Sequence, residues 1–215
     1  MNILLKNRLK YALNGTEVLK IVKDKAGHVK VDGKVKRDPT YPTGFMDVVS
    51  IEKSGEHYRM LYDVKGRYQP HQIDANESSY KLCRVKSRVI GANKIPYIVT
   101  TDGRTIRYPH PAIKVHDTIK YNLESGQIEN WYKFEQGATV MISGGNNIGR
   151  IGTISHVVKH QGSFDIVTIR DARNQTFSTR IGNVFVIGQN KKAAISLPKG
   201  KGIKYDIVEQ RDQNE

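Results

Sequence analysis

From Val29 onward, apolar residues fall at every second position far more consistently than at every third or fourth. In His28-Val29-Lys30-Val31-Asp32-Gly33-Lys34-Val35 the valines alternate with polar residues about an Asp-Gly pair. Strands have a side-chain period of two, and Asp-Gly accepts the two positive φ angles of the tightest hairpin, so this stretch predicts a hairpin. The same alternation predicts strands at 46–51, 58–64, 82–89, 97–101, 105–108 and 118–123, with a second hairpin turn at Asp102-Gly103. Beyond Phe134 shorter strands are expected at 138–142, 151–158, 164–170, 176–181 and 184–187. Turn-rich pieces separate them every eight to twelve residues, the spacing of a small barrel.

Only the start of the chain has a helical period. Leu5, Leu9 and Ala12 share one face while Lys6, Asn7 and Lys10 project elsewhere, and Asn14-Gly15 supplies a stop. A second helix is expected from Thr16 as N-cap to about Ala26-Gly27. The expectation is therefore a multidomain α+β chain, mostly β. A small α/β module spans residues 1–50, a central β-rich domain 51–133 and a small barrel 134–190. A basic extension spans 191–215, with one docked strand at 194–197.

Charge narrows the function. Lys and Arg total 35 against 21 Asp and Glu, a formal net charge of +14. The excess is spread as +5 over 1–50, +5 over 51–133, +2 over 134–190 and +2 over 191–215. A disordered basic arm would concentrate its charge in one block, whereas this distribution fits a polyanion lying across several folded modules. No apolar run approaches the roughly 20 residues of a membrane-spanning helix. Met1–Leu13 carries Lys6, Arg8 and Lys10 where a signal peptide needs an unbroken apolar core. A single cysteine, Cys83, excludes an internal disulfide framework and fits a reducing compartment; its place in an alternating strand predicts a core side chain.

Catalytic patterns fail on specific residues. The segment Gly144-Gly145-Asn146-Asn147-Ile148-Gly149-Arg150-Ile151-Gly152 lacks the Gly-Lys-Ser/Thr ending of a nucleotide loop and leads into a strand. Gly144, Gly145, Gly149 and Gly152 are instead expected to shape a tight loop, as Gly33 and Gly103 shape the two hairpin turns. His156 and His160 are four apart, but Val157 stands where a zincin requires glutamate. No carboxylate pair is tied by spacing to a cleft, so no enzyme, metal site or cofactor is expected. What remains is basic and aromatic. Lys6, Arg8, Lys10 and Tyr11, then Lys34, Lys36 and Arg37, then Lys65 and Arg67, then Lys86 and Arg88, and Arg150 in the glycine loop are candidates for phosphate contact and base stacking.

Five stretches carry a resemblance: Lys6–Leu13, Val29–Val35, Tyr41–Val48, Asp102–Pro109 and Ser196–Ile203. In this order they resemble the eukaryotic and archaeal S4e family of small-subunit ribosomal proteins. The resemblance implies an S4-type RNA-binding module, a central β domain and a KOW-containing SH3-like barrel, with the KOW-like piece at Gly137–Ile154. It adds Lys30, Arg104, Arg107, Lys199 and Lys201 to the candidate RNA contacts. It implies a structural constituent of the cytosolic small (40S-type) ribosomal subunit, with passage through the nucleus and nucleolus during assembly. Its partners would be small-subunit rRNA and neighbouring ribosomal proteins, with no membrane or small-molecule substrate. The alternative is a transient RNA-binding assembly or translation factor. Family members usually begin with a longer basic extension before the stretch corresponding to Ile3–Leu5, so contacts that such an extension makes with rRNA are not expected of this chain.

Overall fold

In the computed structural model the described residues are 1–190, 192–198, 200 and 202–212, and the expected contacts Lys199 and Lys201 lie outside them. The fold is mixed α/β, with a small helical region and three sheets. Two compact units are present. The first comprises 1–61 and 68–134, the second 62–67 and 135–215.

The first unit opens on a π-helical turn, Leu4–Arg8, where an α-helix was expected. Leu9 N–H donates to the Leu4 carbonyl at 2.9 Å, five residues back. The wider turn lets the adjacent Leu4 and Leu5 both enter the core, with Ala12 buried beside them. Helix α1, Gly15–Lys23, then begins at Asn14 rather than at Thr16. The Asn14 side-chain oxygen accepts the Glu17 N–H at 3.0 Å, and Glu17 reaches back to the Leu13 N–H at 2.7 Å. Asparagine outranks threonine as a cap, so the residue taken as a stop is a start. Val18 and Val22, four apart on α1, pack on the sheet below.

That sheet contains β1 (Val29–Val31), β2 (Lys34–Val35), β3 (Val48–Ile51), β4 (Glu56–Tyr62) and β5 (Tyr68–Ile73) in the order β2-β1-β3-β4-β5. The β1–β2 hairpin forms as the alternation predicts, with φ of 50° at Asp32 and 75° at Gly33. A domain break at residue 50 falls inside β3. Val48, Val49 and Ile51 are buried there between β1 and β4, so the first module continues into the next through one sheet. Strand β5 had no sequence signal because Pro70 interrupts it; it sits at the sheet edge, where a missing N–H is tolerated.

After a short helix, α2 (Ala75–Ser78), the second sheet contains β6 (Tyr80–Ile90), β7 (Pro96–Thr100), β8 (Thr105–Arg107), β9 (Thr118–Asn122) and β10 (Ile128–Tyr132). Its order is β10-β9-β6-β7-β8. The long β6 pairs with β9 through its first half and with β7 through its second, across a bulge between Val85 and Ser87. Cys83, Val85, Ile98, Ile113 and Ile119 form its core, and Cys83 is buried as expected.

The two sheets of the first unit are joined by a buried ion cluster. Lys81, 2% exposed, donates to Asp32 at 3.0 Å and Asp47 at 2.5 Å, and lies 3.4 Å from Asp102. Arg104 pairs with Asp32 at 2.9 Å and Asp102 at 2.8 Å. Burial would lower the Lys81 pKa, but Asp32 and Asp47 outweigh it and hold the ammonium above its ordinary range. Burial likewise pushes the Asp102 carboxyl up. The Thr100 hydroxyl, Lys81 and Arg104 outweigh that push and hold it below its ordinary value.

The second unit is a six-stranded antiparallel sheet curled into a half-barrel. Its strands are β11 (Thr139–Ile142), β12 (Ile151–Val158), β13 (Ile166–Arg170), β14 (Thr176–Arg180), β15 (Val184–Gln189) and β16 (Lys192–Ala193), in the order β14-β13-β12-β11-β15-β16. Val140, Met141, Ile142, Ile154, Val167, Ile169 and Val184–Ile187 fill the interior. The strand expected at 194–197 is replaced by β16 just before it. The extension also contains an unexpected helix, α3 (Ile207–Asp212), held by a two-bonded Arg173–Glu209 pair at 2.7 and 2.8 Å.

Replacing Lys81 by Met leaves Asp32, Asp47 and Asp102 with one cation fewer, and is expected to cost about 3 kcal/mol in denaturant unfolding. A depressed carboxyl pKa adds stability that is complete above the unfolded value near about 4 and disappears as pH falls through the folded one. The thermal midpoint should therefore drop below about pH 4, and Asp102→Asn should lower it at pH 7 while flattening the acid limb.

Candidate nucleic-acid interface

The basic residues read from the sequence that reach solvent lie in three places. In the first, Lys6, Arg8, Lys10 and Tyr11 are all exposed on and just after the π-helical turn. Lys34 and Arg37 are exposed on and after β2, and Lys36 is half-buried with its ammonium 4.3 Å from the centre of the Tyr41 ring. These two basic segments are tied together by backbone bonds. Asn2 N–H donates to the Pro39 carbonyl at 2.9 Å, and the Met1 ammonium to the Tyr41 carbonyl at 2.9 Å. Lys30, also half-buried, is paired with Glu52.

The second place is the β4–β5 connection, whose residues 62–67 belong to the second unit. Lys65 is exposed there, and Arg67 is exposed but paired with Asp63 at 2.9 Å. The third is the far end of the second sheet. Lys86 and Arg107 are exposed, and Arg88 is exposed while donating to the Pro111 carbonyl at 3.1 Å. Two exposed aromatic side chains escaped the sequence reading: Tyr108, 69% exposed, and Phe164, 63% exposed beneath Arg180. Tyr108 had a local signal in the run Tyr108-Pro109-His110-Pro111, which cannot continue β8.

Two expected contacts are engaged inside the protein. Arg104 belongs to the ion cluster and lies over the Tyr121 ring at 4.8 Å. Arg150 pairs at 3.1 Å with Asp171, whose carboxylate is 1% exposed, and its guanidinium lies 3.8 Å from the centre of the Phe177 ring. Its place in the glycine loop suggests a phosphate contact; the buried carboxylate and the ring give it a structural task.

The glycines divide by mechanism. Gly33, Gly103 and Gly145 have positive φ and serve turns, whereas Gly144 does not. Gly149 combines a φ of 79° with an approach so close that a Cβ would overlap the Asp63 carbonyl. Gly152 is not a loop residue. It lies in β12 at ordinary φ, where a Cβ would stand 2.5 Å from the Arg170 carbonyl oxygen.

Two family models match parts of the chain. Residues 54–128 match the model of ribosomal family S4e, and residues 171–215 that of the 40S ribosomal protein S4 C-terminus. The chain is 57% identical over 211 residues to small ribosomal subunit protein eS4A of Schizosaccharomyces pombe, covering 98% of this chain and 80% of that protein. The chain belongs to the S4e family. Another S4e relative, small ribosomal subunit protein eS4 of Bombyx mori, is also 57% identical over the same spans. The crystal structure of the 30S ribosomal protein S4e from Thermoplasma acidophilum superposes with a TM-score of 0.72 at 32% identity, over 86% of this chain and 92% of that one. Among the described residues of this S4e chain, no group of three or more His, Cys, Asp and Glu side chains could hold a metal ion, and no helix is long and apolar enough to cross a membrane.

Gly149→Val should destabilise the second unit of the full chain by several kcal/mol, through both overlap and positive φ. Arg150→Gln should also destabilise it, by about 2–4 kcal/mol, because Asp171 is left buried without its cation. Chemical denaturation distinguishes this from a pure RNA-contact role, which predicts unchanged stability for the glutamine variant.

Proposed function

We propose that this chain is a non-enzymatic structural constituent of the cytoplasmic small ribosomal subunit, where it binds and organises rRNA beside neighbouring ribosomal proteins. The observation that carries this reading is the 57% identity, over nearly the whole chain, to a protein named for that subunit. The basic surface supplies the physical means. Long cationic side chains neutralise phosphates and release counterions without reading sequence, and they do so best from a rigid frame.

In this reading the first module, about residues 1–50 with its continuation into the first sheet, is an S4-type RNA-binding module. The second unit is a KOW-containing SH3-like barrel. Its support is the glycine loop between β11 and β12, placed where the KOW-like piece Gly137–Ile154 was read. Lys6, Arg8, Lys10, Tyr11, Lys34, Arg37, Lys65, Lys86 and Arg107 are the proposed RNA contacts, being exposed. Lys30, Lys36, Arg67 and Arg88 contribute less, since each already has an acidic, aromatic or carbonyl partner. Assembly of such a subunit takes the protein through the nucleus and nucleolus before the cytoplasm.

Retention in small subunits through a high-salt wash is the expected result, and release into the soluble fraction would indicate a transient factor instead. Changing Lys6, Arg8 and Lys10 together to Gln should weaken binding to small-subunit rRNA and reduce the slope of log affinity against log salt by roughly 2 to 3. Circular dichroism should stay unchanged, and an unaltered slope in the folded variant would remove this segment from the interface.

A further inference from the structure

At the far end of the second sheet, the chain leaves β8 at Arg107 and turns sharply. Tyr108 adopts a φ of 52°, a left-handed conformation that few non-glycine residues take and that holds its ring 69% exposed. Two residues on, the His110 ring stacks on Trp131 of β10 with centroids 4.8 Å apart and planes 24° from parallel. The Ala112 N–H donates to His110 Nδ1 at 3.2 Å, which fixes the imidazole in place. These rings line a cleft of about 430 Å³, together with Ile113, Ile128 and Gln127. Its size is that of a small-ligand site, three aromatic rings are part of its lining, and Arg107 also lines it.

We propose that this cleft receives one unpaired nucleobase of the bound RNA, a role that rests on the rRNA-binding reading and adds a site to it. A base displaced from its own stack gains a replacement π surface from Tyr108 or the His110–Trp131 pair, and Gln127 offers both a donor and an acceptor to its edge. Arg107 meets the adjoining phosphate. An amide and a guanidinium beside flat rings match a base attached to an anionic backbone better than they match a proline-rich peptide, whose carbonyls and pyrrolidine rings leave the cation unused. Strain at Tyr108 is consistent with a side chain held out for contact, since its exposed ring packs little of its own surface.

Trp131 is the only tryptophan of the chain, so the cleft has a built-in reporter. The experiment titrates the full chain with a single-stranded oligoadenylate and with an abasic oligonucleotide of the same length and charge, following tryptophan fluorescence and, separately, filter retention. The expected result is saturable quenching by the oligoadenylate and little quenching by the abasic strand, although both are retained through their phosphates. Tyr108→Ala should weaken the base-dependent quenching about tenfold while Tyr108→Phe preserves it. Equal quenching by both strands, or unchanged quenching in the folded alanine variant, would overturn the site. Filter retention of small-subunit rRNA without base-dependent quenching rejects the cleft alone, a result that a peptide-binding cleft would also give. Absence of retention rejects the RNA-binding reading and the cleft with it. The two-strand comparison uses the unaltered protein, so it decides the question even if the alanine variant does not fold.

Discussion

A single ammonium, that of Lys81, fixes the first unit. It comes from β6 in the second sheet, and its three acidic neighbours come from three separate connections: Asp32 in the β1–β2 turn, Asp47 just before β3 and Asp102 in the β7–β8 turn. Hydrophobic contact between two sheets is non-directional and tolerates sliding. A cation among three carboxylates does not, because every displacement lengthens at least one short ion pair to an ammonium that is itself buried. Asp32 contributes most. One of its oxygens accepts the Val48 N–H at 3.0 Å and the other meets both Lys81 and Arg104, while its backbone makes the positive-φ turn. A residue that a hairpin accepts for its backbone is thereby committed to the inter-sheet cluster by its side chain.

The same chemistry explains why part of the positive charge is engaged inside the protein. Arg59, fully buried, donates to the Glu77 and Tyr80 carbonyls at 2.9 and 3.1 Å. Arg104 likewise pairs with the half-buried carboxylates of Asp32 and Asp102, Arg150 with the buried one of Asp171, and both lie against aromatic rings. In a basic protein the planar guanidinium is the cation best able to enter the interior, since it forms several directed bonds and is weakly hydrated. Exposed cations, by contrast, include many of the lysines around the π-helical turn, β2 and β6. The overall excess of positive charge is a sound indicator of a polyanionic partner, but it does not identify which arginines meet that partner.

Features whose cause is local were legible in the sequence. The Asp32-Gly33 hairpin, the strand spanning Ile151–Val158 and the burial of Cys83 all follow from alternation and turn chemistry within a few residues. Features set by distant partners were not. Nothing near Lys81 reveals that its acids lie 49, 34 and 21 positions away, and nothing near Arg150 reveals Asp171. Strands β5 and β10 both lie outside the predicted set: Pro70 interrupts β5, and β10 is a weakly buried edge strand with little alternation. At the N-terminus the heptad-like spacing of Leu5, Leu9 and Ala12 pointed to an α-helix, but the demand to bury Leu4 as well selects the wider π turn.

The placement of glycine in the second unit follows a related logic of distance rather than flexibility. Gly149 and Gly152 are three residues apart and both exclude a Cβ, yet they face different backbones. Gly149 closes on the carbonyl of Asp63 in the β4–β5 connection, and Gly152 on the carbonyl of Arg170 at the end of β13. Between them stands Arg150, whose guanidinium is clamped by Asp171, the next residue after that same strand. Close approach on both sides of an arginine held by a buried acid makes this loop a rigid joint. The central cation of this loop is thereby committed to the protein's own acid and ring.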